Sequence, residues 1–366
     1  MAGYATLGAV PSGIAEPFHG VHLRRREENR DEIADVIARL GRPVGLSGLL
    51  DHLNRQARVT KAQGRGPTYA FTWEDHDIHD RTWWPQGITT SADASHDEAV
   101  HNRRLLITSW YSKGGEPGFE GPNKGSRITI VDLDTLRYRH VLLVTPTLDE
   151  DGRPQLSPLK VHAGGLVWFG QHLHVAGTRR GLFTCNLDDL MHIESDHETY
   201  GYRYVLPVRD VYDAFAEDGN EKMRYSFLSV DRSTNPPELV AGEYGVQDMT
   251  TRLAQYQLDP DSGLLRTDDD GCSRPVFLHD GGVGHMQGAC IVNGTYYVTA
   301  SRGQWRLGSL YVGRPGAFRR FRYTLPPGPE DISYWPSRDQ LWSLTEYPGR
   351  RVVFAMDRRR FAPPLR

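Results

Sequence analysis

The sequence has few cysteines, few lysines and no long apolar run. Its three cysteines stand far apart without a CxxC pair (Cys185, Cys272 and Cys290), which argues against a disulfide framework or a cysteine zinc site. No stretch approaches the ~18 consecutive apolar residues of a membrane-spanning helix. Residues 1–18 lack the basic segment and continuous apolar segment of a secretory signal. We therefore expect a soluble, cytoplasmic protein that has no membrane partner.

Charge is nearly balanced, with a formal net charge of −3 over 366 residues. Bulk electrostatics therefore favour neither a nucleic acid nor an anionic membrane as a partner. Nearly all basic residues are arginine, because lysine occurs at only five positions: Lys61, Lys113, Lys124, Lys160 and Lys222. Codon bias in a G+C-rich genome explains this most simply, although a guanidinium group is also the better clamp for a carboxylate or phosphate.

Glycine and proline are abundant, at 38 and 23 residues, which is typical of a chain that turns often. Hydrophobic residues make up 38% of the sequence, which is enough for a substantial core. The length fits two or three average domains, or one large all-β domain.

Two distant segments repeat one pattern. They are "KVHAGGLVWFGQHLHVAGTRRG" at 160–181 and "VGHMQGACIVNGTYYVTASRGQ" at 283–304. When His285 is placed over His162, Arg302 falls on Arg179, and each copy reads as a histidine, two strands joined by a turn, a small residue and an arginine. Self-similarity of this kind indicates a repeat architecture.

Looser copies fill the rest of residues 67–366 and predict five four-stranded units. The last unit lacks its outer strand, and the strand-like segment 67–74, "PTYAFTWE", is available to complete it, because an open ring would leave an unpaired edge. Units of roughly 40–60 residues with four strands are typical of propeller blades. The chain therefore resembles five-bladed β-propeller proteins in architecture, an all-β fold, and no specific enzyme family is identified.

Residues 1–66 have a different pattern. Apolar residues at helical spacing predict a helix that ends at Gly41, and "LSGLLDHLNRQARV" at 46–59 is a second helical candidate. We interpret 1–66 as a partly helical extension that packs on the propeller.

In a propeller, the start of each inner strand and the end of the next strand meet at one face, around the mouth of the central channel. Aligning the repeats gives an entry ring of Trp84, His162, Met223 and His285, followed two positions later by Gln86, Tyr225, Gln287 and Glu330. The same alignment gives an exit ring of Trp110, Arg179, Glu243, Arg302 and Glu346. We expect both rings to face one opening.

Titratable groups that converge in a concave mouth indicate a binding or active site. The candidate catalytic residues are His162, His285, Glu330, Glu243 and Glu346. The candidate substrate-binding residues are Arg179, Arg302, Gln86, Gln287, Trp84, Trp110, Tyr111 and Tyr225. This set predicts an enzyme that acts on a small polar or anionic molecule by histidine acid/base chemistry with arginine anchoring, as a lyase, cyclase, isomerase or hydrolase.

Other interpretations remain open at this stage. The same mouth would serve a non-catalytic propeller that binds a glycan, peptide or protein, and matching Arg and Glu residues could form structural ion pairs in a wet channel. A glycosidase would need paired carboxyl groups about 5–10 Å apart, and no motif supports it. No nucleophile elbow is present, and no nucleotide cofactor is expected.

The segment 73–84, "WEDHDIHDRTWW", carries metal-ligand residue types in close order. His76, His79 and Asp77 are candidate ligands for a divalent metal, and His162, His285 and Glu330 are further candidates. The spacing matches no specific metal motif, so a solvated acidic loop is the simpler interpretation.

Overall fold

Antiparallel strands make up most of the protein. The computed structural model describes residues 20–26, 29–194 and 199–362, and within these ranges the helices are few and short. The prediction of a mostly-β fold is confirmed. Part of the predicted N-terminal extension, residues 1–19 and 27–28, lies outside the described residues, as do residues 363–366.

The N-terminal segment mixes short strands and helices. Its elements are β1 (Val21–Arg25), α1 (Arg30–Leu40), β2 (Gly41–Pro43), α2 (Gly45–Leu50), β3 (Arg55–Gln56) and β4 (Arg58–Val59). Helix α1 ends just before Gly41, as the pattern predicts, and buries Ile33 and Val36. The second helical prediction, 46–59, was too long, because β3 and β4 take up its second half as edge strands.

Strand β5 (Pro67–Thr72) and helix α3 (Asp75–His79) precede the first sheet. That sheet contains β6 (Trp83–Thr90), β7 (Leu105–Ser112), β8 (Ser126–Asp132) and β9 (Arg137–Leu148), with the short helix α4 (Ser91–Ala94) after β6 and β10 (Pro154–Pro158) added at the edge. The next sheet contains β11 (Leu166–Phe169), β12 (His172–Ala176), β13 (Leu182–Asn186) and, after the short 3₁₀ turn Leu187–Asp189 and β14 (Met191–Ile193), β15 (Tyr204–Ala216).

The remaining sheets follow the same antiparallel plan. One contains β16 (Phe227–Asp231), β17 (Glu238–Gly242) and β18 (Arg252–Gln257), followed by the short β19 (Cys272–Ser273) and the edge strand β20 (Phe277–Asp280). Another contains β21 (Met286–Val292), β22 (Thr295–Ala300), β23 (Gly308–Arg314) and β24 (Ala317–Leu325). The last contains β25 (Pro329–Trp335), β26 (Gln340–Thr345) and β27 (Val353–Asp357), with the 3₁₀ turn Arg358–Arg360 behind it. These strands fall on the segments that the repeat predicts.

The first strands of successive sheets contact one another in a ring. Strand β6 contacts β11, β11 contacts β16, β16 contacts β21, β21 contacts β25, and β25 returns to β6. Strand β5 pairs antiparallel with β27, with Phe71 opposite Val353. An early strand therefore completes the last sheet, and the edge that β27 would otherwise expose is paired.

At the centre of the ring the first strands pack so closely that some positions have no room for a side chain. A Cβ added to Gly165 would lie 2.1 Å from the amide nitrogen of Leu228, and one added to Gly288 would lie 2.7 Å from the Cα of Asp331. The buried Asp331 carboxylate accepts hydrogen bonds from the backbone N–H groups of Ile88 and Leu166, at 3.3 and 3.4 Å. These contacts hold the inner strands together around Asp331.

The N-terminal strands cover the outer edges of the sheets. Strand β1 pairs with β15 and also with β19, a short strand between β18 and β20 in the chain, while β3 pairs with β9 and β4 with β5. Residues Val205–Pro207 of β15 also pair in parallel with Leu142–Val144 of β9. The segment therefore links neighbouring sheets from outside. Within the described ranges, none of the helices has the length and apolar character needed to traverse a bilayer.

Candidate active site

Polar side chains gather at the end of the ring where the first strands begin and the second strands end. We call this group the mouth, and define it by Trp84, Gln86, Tyr111, Lys113, His162, Gln287, Glu330 and Glu346. One of its residues, Glu330, directly precedes Asp331, the carboxyl group that joins the inner strands. Strand pairing thus brings together residues that are more than 200 positions apart in the chain.

Two carboxyl groups lie at the base of the mouth. Glu330 is 2% exposed and its Oε1 accepts a hydrogen bond from Gln287 Nε2 at 3.0 Å. Oε2 of Glu346 accepts one from Gln86 Nε2 at 3.2 Å. Within the described ranges neither carboxyl group forms an ion pair. A buried carboxylate with a purely structural role is usually paired with a cation, whereas these two accept hydrogen bonds from glutamine amides.

This environment favours the protonated forms of the Glu330 and Glu346 carboxyl groups. Burial raises the pKa of Glu330 well above its ordinary value, and repulsion from Glu346 and Asp331 raises it further, while the Lys113 ammonium opposes the shift only partly. Burial also raises the pKa of Glu346, against the effect of the same lysine. Glu330 is therefore set up to carry a proton that it can donate.

The other wall of the mouth combines a histidine, a tyrosine and a lysine. The rings of His162 and Tyr111 are 4.0 Å apart between centroids, and the Lys113 Nζ lies 3.5 Å from the centroid of the Trp84 ring. His162 is exposed on its surface side, yet burial by the surrounding protein and then the Lys113 charge lower its imidazole pKa. The Lys113 charge thus acts on the pKa of both His162 and Glu330, and a neutral imidazole together with a protonated carboxylic acid is a pair of groups suited to proton transfer.

The second predicted histidine lies in a cleft of about 660 Å³ beside the mouth. His285 is exposed, and its Nδ1 is 3.0 Å from the Tyr244 hydroxyl. Burial first, and then the nearby charges of Glu330 and Glu346, raise the pKa of Tyr244, so this tyrosine connects the cleft to the mouth. Arg302 lines the same cleft, which makes it available to an anionic group.

Four predicted residues form no side-chain hydrogen bond, ion pair or ring contact with the residues that define the mouth, within the described ranges. The Glu243 carboxylate is fully buried and is bound by the Arg252 guanidinium and by the Arg224 backbone N–H, at 2.8 and 2.9 Å. Trp110 is buried on the opposite side of β7 from Tyr111, with its indole against Trp73 and His140.

The other two are Tyr225 and Arg179. The Tyr225 hydroxyl is buried against that of Tyr256, at 2.8 Å. Arg179 is exposed and forms no hydrogen bond or ion pair with any residue in the described ranges. Of the two predicted anchoring arginines, Arg302 alone lines the cleft beside the mouth.

The predicted metal ligands do not converge. Helix α3 turns Asp77 into the interior, where its carboxylate accepts a hydrogen bond from the Tyr138 hydroxyl at 2.6 Å and lies 3.2 Å from Arg55 Nη1. His76 is exposed at 3.9 Å from Asp80, and Nδ1 of His79 contacts a backbone carbonyl. Among the described residues no three His, Cys, Asp or Glu side chains are disposed to hold a metal ion.

Sequence reasoning missed three residues at this site, namely Lys113, Tyr244 and Tyr347. Tyr244 and Tyr347 each follow an exit-ring glutamate by one position, and Tyr347 packs edge-on against Trp84 with ring centroids 5.6 Å apart. Lys113 is two positions beyond Tyr111 and is one of only five lysines, which is the signal that could have singled it out.

No protein-family model and no curated protein matches this sequence. A gluconolactonase from Xanthomonas campestris is similar at 14% identity and a TM-score of 0.34, over 83% of this chain and 85% of that chain. A β-xylosidase/α-arabinofuranosidase from a compost microbial metagenome is similar at 10% identity and a TM-score of 0.40, over 82% and 94%. The β-propeller domain of Cps50 (Swd1) from Myceliophteria thermophila is similar at 10% identity and a TM-score of 0.36, over 82% and 99%.

These similarities concern overall architecture and supply no residue role. The strand pairing of the chain itself is propeller-like, and no specific family is identified.

Proposed function

We propose that residues 67–366 form a five-bladed β-propeller with residues 1–66 packed along its outer edges. The ring of contacts among β6, β11, β16, β21 and β25 supports this count of blades, and so does the pairing of β5 with β27. The proposed propeller places its active site at the mouth, where inner strands begin.

We further propose that the chain is an enzyme that acts on a small polar or anionic molecule at the mouth. The observation that carries this proposal is the buried Glu330 carboxyl group, which accepts a hydrogen bond from an amide and forms no ion pair with any described residue. An uncompensated buried acid costs folding free energy, and such local costs are concentrated at functional sites.

The residues of the mouth suit a proton-transfer reaction. In this proposal Glu330 donates a proton to a leaving or carbonyl oxygen, and the neutral His162 accepts a proton from the substrate or from water. The Lys113 ammonium and the Tyr111 hydroxyl stabilise negative charge that develops on the substrate. Lyase, cyclase, isomerase and hydrolase reactions all use these steps.

Arg302 is proposed to hold a carboxylate or phosphate group of the substrate by charge-assisted hydrogen bonds. Its place in the cleft with His285 leaves the Glu330 end of the mouth for the reacting atoms. The proposal gives no chemical role to Glu243, whose carboxylate is bound by the Arg252 guanidinium, and none to Arg179.

A non-catalytic binding propeller is the second candidate, and Trp305 favours it. This tryptophan is 72% exposed in the loop after Arg302, and the Arg350 guanidinium lies 4.2 Å from its ring centroid. An exposed indole beside a concave mouth can stack on a sugar or a peptide side chain.

The test is turnover of a panel of small molecules that carry ester, lactone, amide, glycosidic or β-elimination-prone bonds. For any substrate found, Glu330→Gln is expected to lower kcat by about 10²-fold or more, and Arg302→Lys is expected to raise KM for anionic members. Glu120→Gln, an exposed glutamate, is the matched control. Binding of a panel member without turnover, unaffected by Glu330→Gln, would favour the binding propeller instead.

A further inference from the structure

We propose that this chain has a second binding site, separate from the mouth, for a small molecule that carries a multivalent anionic group. The site is a cleft of about 660 Å³ on the flank of the first sheet. It lies between the N-terminal segment, helix α3, strands β8 and β9, and the loop that leads into β15. None of the residues that define the mouth lines it.

The floor of the cleft contains a buried arginine with unused donors. Arg127 is 3% exposed, and its guanidinium lies 4.7 Å from the ring centroids of both Trp83 and Trp110. Its Nη1 donates to the Tyr202 hydroxyl at 2.8 Å, whereas its Nε and Nη2 have no hydrogen-bond acceptor in the described part of the chain. These two nitrogen atoms are closed off from solvent, so Arg127 contributes its positive charge to the floor of the cleft, and the more open arginines supply the hydrogen bonds to a ligand.

Asp77 fixes this arginine without filling its donors. The Asp77 carboxylate lies 3.6 Å from Arg127 Nη2, 3.1 Å from His140 Nε2 and 3.2 Å from Arg55 Nη1. Burial would raise the pKa of Asp77, but His140, Arg127 and the Tyr138 hydroxyl together hold it well below its ordinary value. The floor is therefore a rigid charged network, and Arg127 cannot swing away from the cleft.

The open part of the cleft carries positive charge without carboxylate partners. The Nη1 groups of Arg139 and Arg203 donate to the backbone carbonyls of His52 and Glu194, and the Lys124 ammonium lies over the Tyr200 ring. None of these three cations pairs with a carboxylate in the described part of the chain, and Asp80 alone contributes a lining carboxylate there. The excess of cations makes the cleft a trap for anions.

The chemistry of the lining indicates the class of ligand. Guanidinium groups bind phosphate and carboxylate oxygens through paired charge-assisted hydrogen bonds. The volume exceeds what a single inorganic anion needs and falls within the range of metabolite pockets. The Trp83, Tyr200 and Tyr202 side chains supply aromatic walls. We therefore expect a phosphorylated or polycarboxylated small molecule.

The experiment measures binding of pyrophosphate and of citrate to the full chain by isothermal titration calorimetry at constant ionic strength. The double variant Arg139→Gln/Arg203→Gln is expected to weaken binding by tenfold or more, since hydrogen bonds to charged groups contribute about 1.5–3 kcal/mol each. The matched control is Arg319→Gln/Arg322→Gln, which removes two exposed arginines from β24 and should change affinity by less than about twofold. Tighter binding of pyrophosphate or of citrate identifies the phosphoryl or the polycarboxylate source.

Three outcomes would overturn the proposal. The first is that the unmodified protein binds neither anion. The second is an equal loss in both double variants, which would assign binding to diffuse charge. The third is an affinity that survives Arg139→Gln/Arg203→Gln and disappears in Arg302→Gln, which would place the anion in the cleft beside the mouth. Glu330→Gln should leave anion affinity unchanged, so failure of the proposed function would not remove this site.

Discussion

Two buried glutamates show how surroundings decide the role of a single residue. Glu330 and Glu243 are 2% and 0% exposed, so burial alone would raise the pKa of both carboxyl groups. For Glu243 burial is outweighed by hydrogen bonds from the Arg252 guanidinium and from backbone N–H groups, and its pKa is lowered. Glu330 has no such donors, and its pKa is raised. The first is therefore a structural ion-pair partner and the second a candidate acid.

Replacing Glu330 with Gln should stabilise the protein in a pH-dependent way. Because the folded-state pKa is raised, the wild type is most stable below the ordinary glutamate pKa of about 4.3 and loses stability as pH rises toward the folded value. Glu330→Gln removes that loss, so its Tm should exceed that of the wild type by a few degrees at pH 7 and match it near pH 4. Thermal unfolding across this pH range tests the expectation, with Glu120→Gln as the control. A variant less stable at pH 7 than at pH 4, relative to wild type, contradicts it.

Glu243→Gln should have the opposite effect on stability. It removes the carboxylate from a buried pair and leaves the Arg252 guanidinium, with a side chain only 14% exposed, without its counterion. We expect a cost of about 3–5 kcal/mol, measured by urea denaturation at pH 7. Since the folded-state pKa of Glu243 is lowered, this difference should shrink as pH falls below the ordinary carboxyl value. A negligible loss of stability together with a loss of turnover would indicate that Glu243 has a catalytic role.

At the scale of the strand, a shift of one residue decides which side chains enter the mouth. Side chains alternate between the two faces of a strand, so Tyr111 faces His162 while Trp110 points into the core. In the same way Tyr244 reaches His285, whereas Glu243 turns back toward Arg252. The repeat located the correct strand ends, but aligning the repeats could not fix the local register in each sheet.

Contacts between inner strands predict the effect of adding one methyl group. Gly165→Ala would place a Cβ 2.1 Å from the amide nitrogen of Leu228, and backbone on both sides leaves little room for relaxation. We expect destabilisation of about 1–3 kcal/mol or more, seen as a lower midpoint of chemical unfolding. Gly284→Ala is the matched control, because the nearest atom to its added Cβ would be 3.6 Å away. Equal stability of the two variants would show that the inner strands are less closely packed than described.

At the scale of the whole molecule, the N-terminal segment is part of the assembled fold. Leu23, Val36 and Leu49 are buried to 0% exposure against the sheets, and β1, β3 and β4 pair with outer strands. None of the residues that define the mouth comes from this segment, as far as the described residues extend. Its contribution is therefore to link neighbouring sheets and to cover apolar surface.

A fragment of residues 67–366 should consequently fold poorly on its own. Removing residues 1–66 uncovers the edges of β9 and β15 and the apolar surface beneath α1 and α2, which favours edge-to-edge association. Because several core contacts are lost, we expect the Tm of the fragment to be lower by about ten degrees or more. We also expect size-exclusion chromatography to show higher-order species. A monomeric fragment with the stability of the full chain would show that the segment is dispensable.

The sequence by itself determined the strands, their order and the residues that could carry chemistry. Alternating apolar residues and glycine- or proline-rich turns are local properties, and the repeat around His162 and His285 reports a unit that must pack beside copies of itself. These features also identified Glu330, Glu346, Gln86 and Gln287, because each sits near a predicted strand end.

Tertiary structure alone decided which of those side chains form ion pairs and which do not. Glu243 meets a guanidinium from the neighbouring strand of its own sheet, whereas Glu330 meets an amide from another sheet. The flank cleft likewise exists only after Arg127 and Arg139 of one sheet meet Arg203 of the loop before β15. The physical reason is that strand patterns are set by short-range backbone and burial preferences, whereas pKa and charge balance depend on distances between residues remote in the chain.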